Sequence, residues 1–340
     1  MSQHFFYLYF MFKKSFFFLF ILLITACGSN QNDRLIIDSE KLPQLKIKID
    51  NYGEKLFKIA SNDFESGIIK LSKEYPLFLG GIDADPANLK QIRSFIYDPF
   101  LAELNEITQA KYADLVSLEE ALSDAFKHYK YYFPQAQIPS IYSYISGLQF
   151  EQSIMYSGDA MIIGLDLYLG DSYDYTQMGL PQYKISRMDQ QFIVPDCMHE
   201  LALQHIPFVA QKDMLSEMIQ NGKVLYFKEA MLPTHEKHLL IGFTPEQLQW
   251  SVQNESNIWR MFIDQELLFS GDYEKIRKFV TDGPFTQSIS REAPANLGSW
   301  IGWKIIKSYM NKNPELSLED LFYEKDAQKI LKESGYKPGK

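Results

Sequence analysis

His199 and Glu200 are the residues best placed to do chemistry, and they stand side by side in the segment DCMHELAL. In zinc peptidases the motif His-Glu-x-x-His puts two metal-binding imidazoles one helical turn apart, while the glutamate polarises a water molecule. Here the residue four positions after His199 is Leu203. His205 follows six positions after His199, which on a helix is about 240° around the axis. The zinc motif is therefore half present.

A third zinc ligand would have to come from downstream, where Glu292 precedes a predicted helix. His199, Glu292 and either His205 or His235 would together supply three ligands for a zinc ion. Glu292 is more typical of an ion pair with an arginine, and His199 is more typical of a packed or surface histidine. We therefore predict no resident cofactor. If zinc binds, the candidate ligands are His199 and Glu292, and the candidate catalytic residues are Glu200 and His199.

Other catalytic combinations are weaker. Cys197 lies two positions before His199, and side chains so spaced on a helix point about 200° apart, so they would not meet. The sequence has no Gly-x-Ser-x-Gly elbow, no P-loop and no dinucleotide-binding glycine motif. Gly298 and Gly302 are more typical of close helix packing than of chemistry.

The N-terminal segment KKSFFFLFILLITAC, which ends at Cys27, has the pattern of a bacterial lipoprotein signal. Two lysines precede a short apolar run, and small residues precede the cysteine. The run is shorter than the roughly 20 residues that a membrane-spanning helix needs. We predict that Cys27 becomes the lipidated N-terminus and carries acyl chains such as palmitate. A signal anchor or a cleaved secretory form is the alternative, and translation would start at Met1 or Met11.

This leader divides the chain into a signal peptide (1–26), a polar tether (27–43) and a globular body (44–340). A further boundary inside the body would fall near 180–215. Gly28 follows the cysteine, where inner-membrane lipoproteins commonly carry aspartate, and this favours the outer membrane, facing the periplasm.

Composition limits the partners of the body. The chain of 340 residues has a net charge of −9, and loss of Lys13 and Lys14 with the leader makes it about −11. Such a protein is a poor ligand for nucleic acid, so the predicted membrane contact is the lipid. Only two cysteines are present. If Cys27 is lipidated, Cys197 has no partner for an intramolecular disulfide.

Hydrophobic periodicity predicts an α+β fold, with a mainly helical body and a small mixed or antiparallel sheet. The alternation in LKIKID indicates a strand near 44–50. The segments 140–146 and 160–169 indicate adjacent strands, which we expect to be antiparallel. Helical patterns cover 52–75, 88–97, 117–132 and 196–211, with Ser117 and Asp196 as expected N-caps. The segment 171–175 is acidic and aromatic, and a solvated loop fits it better than a calcium site.

Several later helices carry clear end signals. Thr244 with Gln247 forms the pattern of a capping box before a run to Ser270 that closes at Gly271. Residues 297–310 form another helix, Ser317 begins the last helical region, and Gly335 ends it. Core packing is the favoured interpretation of the four tryptophans, and a glycan-binding or peptidoglycan-binding face is the weaker alternative; they are Trp250, Trp259, Trp300 and Trp303.

Taken in order, several motifs resemble the gliding-motility lipoprotein GldB family of Bacteroidetes. They are the lipobox leader, LKIKID with a following Tyr-x-x-x-Leu-Phe helix, IGLDLYLG at 163–170, and APANLGSWIGW at 293–303 with Tyr309-Met310. The resemblance spans essentially the whole chain. It implies a cell-envelope lipoprotein that is required for gliding and associated with the type IX secretion machinery.

The order of the strands, the His199 helix and the Glu292 segment is also similar to a zincin-like layout whose ligand set has decayed. Leu203 is the departure that argues against catalysis. Our functional hypothesis is a non-catalytic component that binds proteins of the gliding or secretion apparatus. The alternative is a membrane-anchored, zinc-dependent peptidase or peptidoglycan hydrolase.

Overall fold

The computed structural model describes residues 34–81, 86–210, 212–286 and 288–338. The predicted signal peptide and residues 27–33 of the tether, including Cys27, lie outside these residues. The chain divides into two units after Ile36, and every element described below belongs to the second, Ile37–Lys340. The boundaries predicted at 43 and near 180–215 stay predictions.

Four strands of the described residues form one mixed sheet: β1 (Ile49–Asn51), β2 (Ser140–Tyr144), β3 (Ile154–Ser157) and β4 (Ala160–Gly164). Their order across the sheet is β1-β2-β4-β3. Two pairings, β1 with β2 and β2 with β4, are parallel, whereas β3 and β4 form an antiparallel hairpin. The predicted α+β class with a small mixed sheet is confirmed. The antiparallel pairing expected for β2 and β4 is wrong. Strand β3 comes between them along the chain, and β4 turns back antiparallel to β3, so that β4 runs in the same direction as β2.

The first strand is shorter than LKIKID suggested. The amide of Ile47 donates to Ser123 Oγ at 2.8 Å, and that of Ile49 to Glu119 Oε1 at 3.0 Å. Side chains of a later helix therefore supply these acceptors, and ladder pairing begins only at Ile49.

The helices of the N-terminal half are α1 (Tyr52–Phe57), α2 (Phe64–Glu74), α3 (Pro76–Leu79), α4 (Pro86–Ile96), α5 (Pro99–Lys111) and α6 (Val116–Tyr132). The pattern predicted over 52–75 is helical but interrupted, since Ala60 is extended. We did not predict α5, which begins where Asp98 accepts from the amides of Phe100 and Leu101. Ser117 does not cap α6, because Asp114 accepts from the amide of Val116 one residue earlier.

The C-terminal half contains α7 (Gln182–Ile185), α8 (Ile193–His205), α9 (Met214–Met231), α10 (Lys237–Ile241), α11 (Pro245–Gln253), α12 (Glu255–Asp264), α13 (Tyr273–Val280), α14 (Leu297–Lys312), α15 (Leu318–Tyr323) and α16 (Ala327–Ser334). The capping boxes at Thr244 and Ser317 are confirmed. So is the left-handed Gly335 after α16. The run to Ser270 divides at Asn254 into two helices.

The longest of these helices, α9 and α14, cross at two glycines. A Cβ atom on Gly302 would lie 1.8 Å from the carbonyl oxygen of Met218, and one on Gly222 would lie 2.4 Å from the carbonyl carbon of Gly302. The backbones therefore touch, and the close packing predicted for the 298–302 segment is confirmed. Trp300 and Trp303, on the same helix, are buried in the core.

Candidate functional site

Two adjoining cavities lie beside α8. Both are lined by Arg187, Asp196, His199 and Asp282. The first, of about 460 Å³, reaches the beginning of β3 and is called the strand-side cavity; it is also lined by Phe150, Ser153, Ile154, Lys184 and Glu200. The second, of about 390 Å³, reaches α9 and α14 and is called the helix-side cavity; it is also lined by Asn221, Lys228, Asn296 and Ser299.

Helix α8 positions three of these polar side chains on one face. Asp196, His199 and Glu200 are three and four residues apart, so they share one side of the helix. The residues between them point into the core, where Cys197 and Met198 are fully buried. Asp196 was expected to cap α8. It lies inside the first turn instead, because the helix already begins at Ile193.

Burial by surrounding protein atoms changes the acid–base properties of this face. It raises the pKa of Asp196, against the opposing effects of Lys228, Arg187 and a hydrogen bond from the Tyr168 hydroxyl to Asp196 Oδ2 of 2.9 Å. His199 is exposed to solvent on one side. The protein atoms packed around its ring displace water, and this desolvation, together with the charge of Lys228, lowers its pKa. His199 is therefore a neutral imidazole at pH 7.

Lys228 brings a buried cation to the helix-side cavity. The residue is 5% exposed, and burial lowers the pKa of its ammonium group to about 8, with Asp196 opposing and Arg187 assisting that shift. At pH 7 the group still carries its proton. A perturbed cation, carboxylate and imidazole around one cavity are typical of a functional site.

Arg187 and Asp282 form the wall that the two cavities share. Arg187 Nη1 and Nη2 donate to the Asp282 carboxylate at 2.7 and 3.0 Å. Nε and Nη2 also donate to the carbonyl oxygen of Gly242, at 3.2 and 3.0 Å. This side chain therefore ties three loops together, and most of its donors are used within the protein.

Comparison with protein families decides where the chain belongs. The model of the family described as gliding motility protein GldB matches residues 32–338. The chain belongs to this family. The predicted resemblance is confirmed, and membership makes the protein a gliding motility lipoprotein of the cell envelope. No curated protein and no solved structure matches the chain.

This GldB-family chain does not gather the ligands that the sequence suggested for zinc. Glu292 is exposed and lines neither cavity that contains His199. His205 stacks on Phe133, with ring centroids 4.4 Å apart, and a hydrogen bond of 2.8 Å joins the Tyr129 hydroxyl to His205 Nε2. His235 also lies outside both cavities. Among the described residues, no group of three or more His, Cys, Asp or Glu side chains is placed to hold a metal ion.

Other predicted residues have separate positions in the GldB-family structure. Cys27 lies outside the described residues. Burial raises the pKa of the Cys197 thiol, which faces away from the His199 side of α8. In the loop at 171–175, Asp174 caps a turn by accepting from the amide and hydroxyl of Thr176. Among the described residues, no helix combines the length and apolar composition of a membrane span.

Sequence reasoning missed four residues of the GldB-family site: Tyr168, Arg187, Lys228 and Asp282. One signal was available. Lys228 and Glu229 interrupt the apolar run VLYFKEAM on α9, and charges inside such a run need partners or a cavity. Glu229 has partners, because it accepts from Trp303 Nε1 at 2.8 Å and Lys307 Nζ at 2.6 Å.

Proposed function

We propose that this GldB-family lipoprotein acts without catalysis, by binding a protein of the gliding or type IX secretion apparatus beside β3. Acyl chains on Cys27 anchor it in the outer membrane, with the body facing the periplasm. The observation that carries this proposal is the free edge of the sheet at the strand-side cavity.

Strand β3 is an outer strand of the sheet, and Ile154 at its start lines the strand-side cavity. The amide of Gly164 donates to the carbonyl of Ser153, which makes these two residues a hydrogen-bonded pair. Because such pairs alternate along an antiparallel ladder, the backbone groups of Ile154 and Tyr156 point away from β4. No other described backbone segment pairs with them. An extended peptide is able to add there as a fifth strand.

The residues around His199 support binding over hydrolysis. The position where a second imidazole would stand is Leu203, which is 47% exposed and has no electron pair to give a metal. Glu200 lines the strand-side cavity, and burial raises its pKa, with Asp196 adding to the shift. The alternative zinc peptidase or peptidoglycan hydrolase would need Glu200 as its base.

We expect Tyr156→Pro to abolish gliding at normal protein abundance. Proline removes an amide that points outward from β3 and leaves the bonds to β4 in place, so it blocks strand addition without opening the sheet. Colony spreading and immunoblotting of cells that carry the variant measure the effect. A photo-crosslinker at the exposed Ser157 should capture a partner in wild type and lose it in the variant.

The matched control is Tyr156→Thr, which removes the ring but keeps the amide and a β-forming side chain. It should glide like wild type. Normal gliding of Tyr156→Pro would refute strand addition. Loss of gliding in Glu200→Gln at normal abundance would instead favour the hydrolase.

Lipidation is tested separately. Cys27→Ser should abolish incorporation of labelled palmitate and leave the leader uncleaved, because no thiol is available to carry the diacylglycerol. Cys197→Ala is the control, and it should retain the label since Cys197 is fully buried. Persistent labelling of Cys27→Ser would show that the anchor lies elsewhere.

A further inference from the structure

Lys228 is a buried cation without a close partner. Its side chain lines the helix-side cavity, and among the described residues its Nζ makes no hydrogen bond and no ion pair within 4 Å. Its Nζ is not among the described polar atoms that are both buried and without a hydrogen bond, so it reaches the space of the cavity. A charged group that is largely withdrawn from bulk water and has no partner costs free energy. A group from outside the chain would offset that cost.

The other buried charges of α9 have partners. Lys223 is 2% exposed, and its Nζ donates to the carbonyl oxygens of Glu324 at 2.5 Å and Phe322 at 3.5 Å. Glu229 is bound by Trp303 and Lys307, as described above. Lys223 lines a different cavity, but its ammonium group is already bound. Lys228 is therefore the exception among them, because it faces a cavity without a hydrogen-bonding partner in the described residues.

The positive end of α14 reaches the same cavity. Asn296, which precedes the helix, and Ser299, in its first turn, line the helix-side cavity. Asn296 holds a left-handed backbone (φ 58°) and does not cap the helix, because its Oδ1 accepts from the Ser299 hydroxyl instead. Asn221 Nδ2 donates to the same hydroxyl oxygen at 2.9 Å. The amide end of this 16-residue helix thus adds positive potential near Lys228.

The neighbouring carboxylates set the charge of the ligand. Asp282 is occupied by Arg187, and Asp196 accepts from Tyr168 and lies more than 4 Å from Lys228 Nζ. Neither neutralises Lys228 at contact distance. Asp196, which no cation pairs at contact distance, would in its ionised form repel a doubly charged anion such as phosphate more than a singly charged one. A single carboxylate is the anion that this balance favours.

We propose that the helix-side cavity binds a carboxylate of a ligand or partner segment, with Lys228 Nζ as its ion-pair partner and the first turn of α14 as a second positive element. The site does not depend on strand addition at β3, so either proposal can fail alone.

The test is NMR on the full-length protein in detergent, labelled with ¹³Cε-lysine, with the Lys228 signal assigned from Lys228→Met. The probe is N-acetylglycine, which mimics a chain terminus, and propionate mimics an acidic side chain. Saturating N-acetylglycine should raise the pKa of Lys228 by about one to three pH units, as an adjacent opposite charge does. N-acetylglycinamide, which has the same shape without the charge, should leave it unchanged.

Lys223 is the internal control, because its signal should not move and Lys223→Met should still bind N-acetylglycine. A response to propionate alone would assign the site to a side-chain carboxylate. Tighter binding of inorganic phosphate would overturn the choice of a single carboxylate. An equal response to the amide, or no saturable response to any anion, would overturn the site itself.

Discussion

Gly302→Ala is expected to lower the free energy of unfolding by about 3–5 kcal/mol, at or above the top of the range for overpacked cores. The added methyl would lie 1.8 Å from the carbonyl oxygen of Met218. Both atoms belong to or extend directly from helix backbones, so no side-chain rotation relieves the contact. The two helices must move apart. Because Asn296 and Ser299 at the start of α14 line the helix-side cavity, the substitution should also change the shape of that cavity. Denaturant unfolding of the full-length protein in detergent measures the loss.

The matched control is Gly283→Ala, in the loop before α14. A Cβ atom there would meet only the Ala295 side chain, at an ordinary 3.5 Å. We expect its free energy of unfolding to stay within about 0.5 kcal/mol of wild type. Equal stability of Gly302→Ala and Gly283→Ala would mean that α9 and α14 do not cross at backbone contact.

Asp166→Ala should be comparably destabilising, by about 3–5 kcal/mol. The Asp166 carboxylate is fully buried and accepts from the amides of Ser146 and Leu148, at 2.8 and 2.9 Å, and from the Ser146 hydroxyl at 2.8 Å. Alanine would leave two buried amides without an acceptor, at a cost of about 1–3 kcal/mol each, and a small cavity. Leu148 also holds a left-handed backbone (φ 64°), which those bonds stabilise.

The same turn leads into Phe150 and Ser153, so Asp166→Ala should also disturb the strand-side cavity. The expected outcome in cells is low abundance and loss of gliding together, measured by immunoblotting and colony spreading. Asp174→Ala is the control: Asp174 caps an exposed turn, so its loss should cost no more than about 1 kcal/mol. A stable, abundant Asp166→Ala protein would contradict the role assigned to this carboxylate.

Local signals predicted the elements whose ends depend on nearby residues. The boxes at Thr244 and Ser317 and the glycine at 335 were predicted correctly, because a cap bonds amides or carbonyls within a few residues of itself. Errors arose where a tertiary partner competed. The segment 160–169 illustrates this: the strand stops at Gly164, and Asp166 turns inward to bind the turn that follows β2.

The candidate site also combines features that local sequence signals predict with features that depend on tertiary contacts. Helical spacing alone places His199 and Glu200 on one face of α8, and Leu203 alone argues against a zinc peptidase. The leader motif at Cys27 and the order of motifs along the chain sufficed to predict the family. These properties depend on residue identity and on short separations.

Only the tertiary structure brings Arg187 and Asp282 to both cavities, Tyr168 to the strand-side cavity and Lys228 to the helix-side cavity. They come from separate elements, and no periodicity relates residues so far apart along the chain. Whether a buried charge such as Lys228 or Glu229 has a partner depends on what packs against its helix. The sequence determined which groups exist and which face of a helix each occupies. Packing decided which of them meet, because burial and pairing are properties of the space between elements.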